Sequence, residues 1–226
     1  MTKQNAIKNL DNIITKIEFS RLQVNNHKIV QLVAISKYSS AEDIKKLYES
    51  GQRAFGENKV QDLKTKQEEL SDLPIAWHFV GTLQKNKINN LINLNPILMH
   101  SLDSLDLAKD LDRKLKTKNK KMNCLLQVNS ANEDTKSGVN RENAIDIYNE
   151  IKEKYTNINL KGIMSIGANS DDQNKIIESF QVTKRIFDNC KDATICSMGM
   201  SGDFQTAILN GSTMIRVGSA LFKEYE

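Results

Sequence analysis

Lys37 ends the apolar run Leu32-Val33-Ala34-Ile35-Ser36, two residues before the pair Ser39-Ser40. A primary amine where a buried strand hands over to a helix suits attack on a carbonyl carbon and formation of a Schiff base, provided it is unprotonated. With an ordinary pKa of roughly 10.4, on the order of one lysine in a thousand is neutral at pH 7. Partial burial at the strand end and the guanidinium of Arg216 would both disfavour the ammonium, and a depression of about 3 pK units corresponds to roughly 4 kcal/mol. A plainer role suits the residue equally, as a snorkelling lysine that ends a strand. Late in the chain, "SMGMSGD" (197–203) and "RVGSALF" (216–222) mix glycines with serines. Glycine lets the backbone approach a ligand closely, and free N–H groups with serine hydroxyls are neutral donors to phosphate oxygens. Tight turns alone would also account for Gly199, Gly202 and Gly218.

These groups meet only if the elements carrying them converge. Ile7, Leu10, Ile14 and Ile17 recur at helical spacing, which predicts a helix over about 2–25 with that stripe buried. A rhythm of short apolar runs and amphipathic segments follows. Ser39/Ser40 with Glu42 and Asp43 cap a helix carrying Ile44, Leu47 and Tyr48, and Gly51 closes it. Strand-like runs recur as "RAFGEN", "IAWHFVG", "PILMHSLD", "NCLLQVN", "KGIMSIG", "TICSMGM" and "TMIRVGSALF". With the first, that makes about eight strands, with helices between most of them and no Pro/Gly-rich linker. The expectation is an α/β chain folded over 1–226 as one domain, a single parallel (β/α)8 TIM-like barrel preceded by an N-terminal helix. An open doubly wound sheet is the runner-up, but its GxGxxG fingerprint is missing. In a barrel, loops leaving the C-terminal strand ends share one face. That face would gather Lys37, Asn58, His78, Gly81, Met164, Ser165, the 197–201 loop and the 216–219 loop.

Composition narrows the function classes. Of the 226 residues, 39% are hydrophobic and 27% charged, and no apolar run approaches the roughly 20 residues of a membrane span. The N-terminus carries both charge signs and lacks an apolar signal core, so the expected location is the cytoplasm. Cys124, Cys190 and Cys196 have no CxxC spacing, which favours reduced thiols. The basic run Arg113–Lys121 sits where a helix should end and suits its negative pole; without interleaved aromatics or a binding motif it does not indicate nucleic acid. His78 and His100 at neighbouring strand ends would suit a metal only with further ligands, and no HxH pair or carboxylate accompanies them. With no heptad seam, a monomer is expected.

The segments "AISK", "FGEN", "WHFVGTLQKNK", "VNSANEDTKSG", "KGIMSIG", "SMGMSGDFQTAI" and "GSTMIRVGSALF" occur in the order and spacing of the pyridoxal phosphate homeostasis protein family, which the chain resembles over nearly everything after its first helix. The resemblance implies a barrel similar to the N-terminal domain of alanine racemase, holding pyridoxal 5'-phosphate as an aldimine on Lys37. It further implies Asn58 and Met164 beside the cofactor ring, Ser197, Met200, Ser201, Gly218 and Ser219 at the phosphate, and Arg216 at the pyridine nitrogen. Thr82, Ser219 and Lys223 depart from a usual proline, threonine and glycine, and none removes a ligand group. Glu133, Lys136 and Gly138 match the family pattern; physically they suit a capping and ion-pair cluster.

Two arguments favour a carrier over a catalyst. An arginine at the pyridine nitrogen keeps that nitrogen unprotonated and weakens the electron sink that carbanion chemistry needs. The sequence also stops soon after the eighth strand, leaving little chain for a lid. The expected function is cofactor storage and transient supply to apo-enzymes, with little or no catalysis. The alternatives are an amino-acid racemase and a Schiff-base aldolase acting on phosphorylated sugars.

Overall fold

The computed structural model describes residues 1–25, 27–133 and 136–224. Nine strands alternate with helices in chain order: α1 (Lys3–Leu22), β1 (Gln31–Ile35), α2 (Ala41–Glu49), β2 (Ala54–Glu57), α3 (Val60–Glu69), β3 (Ala76–Phe79), α4 (Ile88–Leu94), β4 (Leu98–Leu102) and α5 (Leu105–Thr117). The second half continues with β5 (Met122–Asn129), β6 (Val139–Asn140), α6 (Ala144–Lys154), β7 (Ile158–Ser165), α7 (Gln173–Asn189), β8 (Ile195–Ser197), α8 (Phe204–Leu209) and β9 (Met214–Val217). All pairings are parallel, and the β4–β5 and β1–β9 ladders close eight strands into a barrel. The open-sheet alternative is thereby set aside. The two-residue β6, which sequence periodicity does not reveal, lies beside the end of β5 outside this ring.

Apolar packing is concentrated between the strands and the helices. Phe55, Leu63, Leu91, Leu111 and Tyr148 are fully buried there within one continuous cluster. Inside the barrel a smaller apolar layer of Val33, Leu98, Leu125, Met164 and Met214 shares the space with buried His78, His100, Gln127, Ser197 and Arg216. Local signals agree with the elements. Ser40 Oγ accepts the Asp43 N–H at 3.1 Å as the N-cap of α2, and Gly51 follows that helix with φ +117°. All three cysteines are free and buried.

The first helix corrects the sequence reading. Its buried face is Ala6, Asn9, Leu10, Ile13, Ile17 and Ser20, while Ile7 and Ile14 are 43% and 44% exposed. The reason is close packing of α1 against α2 and α8, which admits small residues and lets Asn9 donate to the Leu221 and Lys223 carbonyls at 3.0 and 2.8 Å. The helix therefore turns about one position away from its most hydrophobic stripe. No described helix is long and apolar enough to cross a membrane.

Barrel closure depends on one glycine. The β5–β7 register slips between Cys124 and Leu125, and just past the slip Gly162 has φ +150°, with a Cβ position only 2.0 Å from the Ile195 carbonyl oxygen of β8. Gly162→Ala must push these strands apart, so the expected loss is about 3 kcal/mol or more, readable as a lower midpoint in urea denaturation with an unchanged slope.

Candidate functional site

Six of the nine residues expected at the site border one cavity of about 720 Å³ at the C-terminal strand ends: Lys37, Met200, Ser201, Arg216, Gly218 and Ser219. Gly202 of the first late loop also borders it, as do Tyr38, Asp43 and Phe222, which were not anticipated from sequence. Asn58 is half-buried at the end of β2 against Gly81, whose Cβ position would fall 1.9 Å from the Asn58 carbonyl oxygen. Met164 is 2% exposed and belongs to the apolar layer inside the barrel. Ser197 is fully buried, with its hydroxyl turned to Arg216 and His100 and away from the loops expected to take a phosphate.

The lysine is positioned through its neighbour. Lys66 of α3 donates to the Ser36 carbonyl at 2.6 Å and to Glu57 Oε1 at 2.7 Å, while Ser36 Oγ donates to the same Glu57 oxygen at 2.5 Å. Glu57 is fully buried. This buried ion pair fixes the last residue before Lys37 from two neighbouring elements. Glu57 was visible in the sequence only as a carboxylate within the apolar "FGE" run. Lys37 itself is exposed, correcting the expected partial burial; its Nζ stands over the Tyr38 ring, 4.9 Å from the centroid.

Facing Lys37 are the two late loops. Ser201 Oγ accepts the Gly218 N–H at 3.2 Å, tying the two loops together, and Asp203 accepts the Met200 N–H at 2.6 Å, bracing the first loop from within. Burial pushes the Asp203 carboxyl up, against the pull of Arg216. A Cβ at Gly218 would lie 3.2 Å from the Ile35 carbonyl oxygen, whereas nothing lies within 4 Å of one at Gly202. The first glycine allows close approach to β1, and the second keeps the cavity open.

Arg216 closes the floor. Its guanidinium donates to Ser197 Oγ and to the Ser165 carbonyl, both at 2.8 Å. Burial lowers it to about 10, so it stays cationic at neutral pH. Two of its five N–H donors are thus engaged by protein and the residue still borders the cavity. Beyond Ser197 the polar chain continues: Ser197 Oγ lies 3.3 Å from His100 Nδ1, and His100 Nε2 lies 2.9 Å from His78 Nδ1. The two histidines weighed as metal ligands are thus partners in a direct hydrogen bond. Burial holds His78 down at about 4, and burial, His78 and Arg216 hold His100 well below its usual range. Nearby, Lys136 bonds Glu133 and the Gly167 carbonyl at 2.8 and 2.6 Å, cross-linking the loops after β5 and β7.

An amine, a buried donor-only cation and two hydroxyl- and glycine-lined loops around one cavity fit a molecule with an aldehyde, a ring acceptor and an anionic tail. Two stability effects follow. Lys66→Met strands the Glu57 carboxylate and should cost about 3–5 kcal/mol, whereas adding Glu57→Leu should recover most of it; denaturation of the three variants measures this. The histidines bind protons more weakly folded than unfolded, so stability is full above about 6.5 and falls as pH drops. For His78 the loss is complete near 4, worth about 3 kcal/mol, and thermal midpoints across that window should decline accordingly.

A family model described as alanine racemase, N-terminal domain, matches residues 9–226. The pyridoxal phosphate homeostasis protein of Helicobacter pylori (strain ATCC 700392 / 26695) is 52% identical over 215 residues, 95% of this chain and 97% of that one. The structure of PipY of Synechococcus elongatus with PLP bound superposes with a TM-score of 0.82 at 30% identity, covering 96% of this chain and all of that one. An alanine racemase of Clostridium difficile shares the fold at a TM-score of 0.77 and 15% identity, with 98% of this chain matching 57% of that one. With its lysine-tipped first strand, its late serine–glycine loops and these likenesses together, the chain belongs to the pyridoxal phosphate homeostasis protein family, within the alanine racemase N-terminal fold.

Proposed function

We propose that this chain, over 1–226 as a single domain, binds pyridoxal 5'-phosphate in the cavity at Lys37 and serves as a cytoplasmic store that supplies it to apo-enzymes, acting as a monomer with little or no catalysis. The observation that carries the reading is the shared cavity of Lys37 and Arg216, with the 200–202 and 218–219 loops between them. Lys37 supplies the amine that captures the aldehyde. Met200, Ser201, Gly218 and Ser219 take the phosphate, and Asn58 and Met164 stand behind the ring. Ser197, expected at the phosphate, contributes instead by holding Arg216.

The bound cofactor would supply an electrophilic aldehyde, together with an electron sink that is strong only when its ring nitrogen is protonated. Arg216 donates and cannot accept, so it holds an acceptor nitrogen unprotonated. The other acid and base groups around the cavity are poorly placed for proton transfer. Asp43 is engaged by the Met1 amine at 2.7 Å and by Ser40 at 2.9 Å, and Tyr38 is 89% exposed. The PLP-bound state of the Synechococcus protein supports the same ligand here.

Incubation with pyridoxal 5'-phosphate should give a visible absorbance band that borohydride abolishes, leaving a pyridoxyl adduct that peptide mapping places on Lys37. Lys37→Ala should fold normally and lose that adduct. Racemisation of alanine should run at least about a hundredfold below the ~10 per second typical of enzymes; a rate in the ordinary range would replace the carrier reading with the racemase one. Sugar-phosphate cleavage without cofactor would favour the aldolase.

A further inference from the structure

The barrel has a second opening, at the N-terminal ends of its strands. A cavity of about 790 Å³ lies there, walled on its apolar side by Val33, Leu98, Ile195 and Met214, widened by the small Ala54 and Ala76, and lined elsewhere by charged Asp11, Glu18, Arg53 and Lys161. Ile14, left exposed by the rotation of α1, stands at its edge. His78 reaches the same cavity, although it is only 6% exposed. Its side chain's sole hydrogen bond among the described residues is the one to His100 through Nδ1, so Nε2 is left without a partner among them.

The protons along this chain have a fixed direction. Arg216 only donates, so Ser197 Oγ must accept from it. Among the described residues the acceptor in reach of the buried Ser197 proton is His100 Nδ1, and leaving that proton unpaired would incur the desolvation penalty of a buried donor. His100 is then protonated on Nε2 and donates to His78 Nδ1, which places the His78 proton on Nε2. The reverse order would make equally many bonds but orphan the serine hydroxyl. Three donors aligned behind a cation polarise one another in the same sense, and their positive end is the His78 N–H.

We infer that the N-terminal cavity is a second small-molecule site, whose ligand is a mainly apolar molecule bearing an uncharged carbonyl oxygen that accepts the His78 Nε2 hydrogen. The walls supply the apolar contact, and the unpartnered donor supplies orientation, the usual division of labour in small-molecule pockets. The acceptor is uncharged because the burial that keeps both histidines neutral penalises a carboxylate at the same depth. This site is independent of what occupies the cavity at Lys37.

Benzamide, with a flat apolar ring and one carbonyl, is the probe, and toluene is the comparator without an acceptor. In the full chain, long-range nitrogen–proton NMR should show both histidines as neutral Nε2–H tautomers; an Nδ1–H form of His78 would overturn the assignment. Titration should shift the methyl signals of Val33, Leu98, Ile195 and Met214 saturably. Benzamide should bind at least about tenfold more tightly than toluene, as a hydrogen bond to an otherwise unpaired donor allows. Ala76→Leu, which narrows the opening without touching the polar chain, should abolish the shifts with both probes. Equal affinities would reduce the cavity to an apolar hollow, and an absence of shifts in the unaltered chain would remove the site altogether.

Discussion

A guanidinium buried inside a parallel barrel, with no carboxylate bonded to it among the described residues, is the constraint around which this structure is arranged. Taking such an ion out of water costs several kcal/mol even after relaxation, which Arg216 offsets through hydrogen bonds to Ser197 and Ser165 and attraction to the Asp203 carboxylate. Both acceptors must therefore stay where β7 and β8 put them. The same cation fixes the order of every proton behind it and requires His100 and His78 to remain neutral, since another positive charge in that column would face it at low dielectric. Polar residues replace apolar ones along this part of the barrel axis. The fold tolerates the exchange because its larger apolar cluster lies between sheet and helices, outside the ring of strands.

The lysine is arranged on the opposite plan. Its backbone is held firmly, through the Lys66–Glu57–Ser36 cluster, while its side chain is free in solvent beside Tyr38. A fixed root with an exposed tip gives the amine access to the cavity without loosening the strand. Immobilising such a tip costs side-chain entropy of the order of 1.5–2 kcal/mol for a lysine.

Much of this was legible in the chain. Short apolar runs ending in Lys37, Asn58, Ser165 and Gly218 reported parallel strands with their C-terminal ends on one face, because burial on both sides of a strand leaves a nearly continuous apolar record. Capping serines and acidic first turns located α2. What escaped was tertiary. The face that α1 buries is set by close approach to its neighbours, so Ala6 and Asn9 displace Ile7 and Ile14 from the interior, and hydrophobicity alone points the wrong way. The pairing of Glu57 with Lys66 and the column from Arg216 to His78 join residues that are 9 to 97 positions apart by chain number, with no local spacing to announce them. Ser197 shows the limit most clearly: a serine in a glycine-rich late loop reads as a phosphate donor, and only the fold turns its hydroxyl inward.

That inward turn also explains how two mouths of one barrel differ in character. At the C-terminal end the serine and glycine loops present backbone and hydroxyl donors beside a full positive charge, which suits an anionic, reactive guest. At the N-terminal end the charge is relayed only as aligned dipoles through neutral rings, so what emerges at His78 is a single polarised N–H beside the apolar part of the cavity wall. The barrel interior thus converts a cation at one end into a weak directional donor at the other. The conversion requires that neither histidine carry charge, and burial enforces this at neutral pH. One physical condition, the burial of the barrel axis, therefore keeps Arg216 paired above and both histidines neutral below.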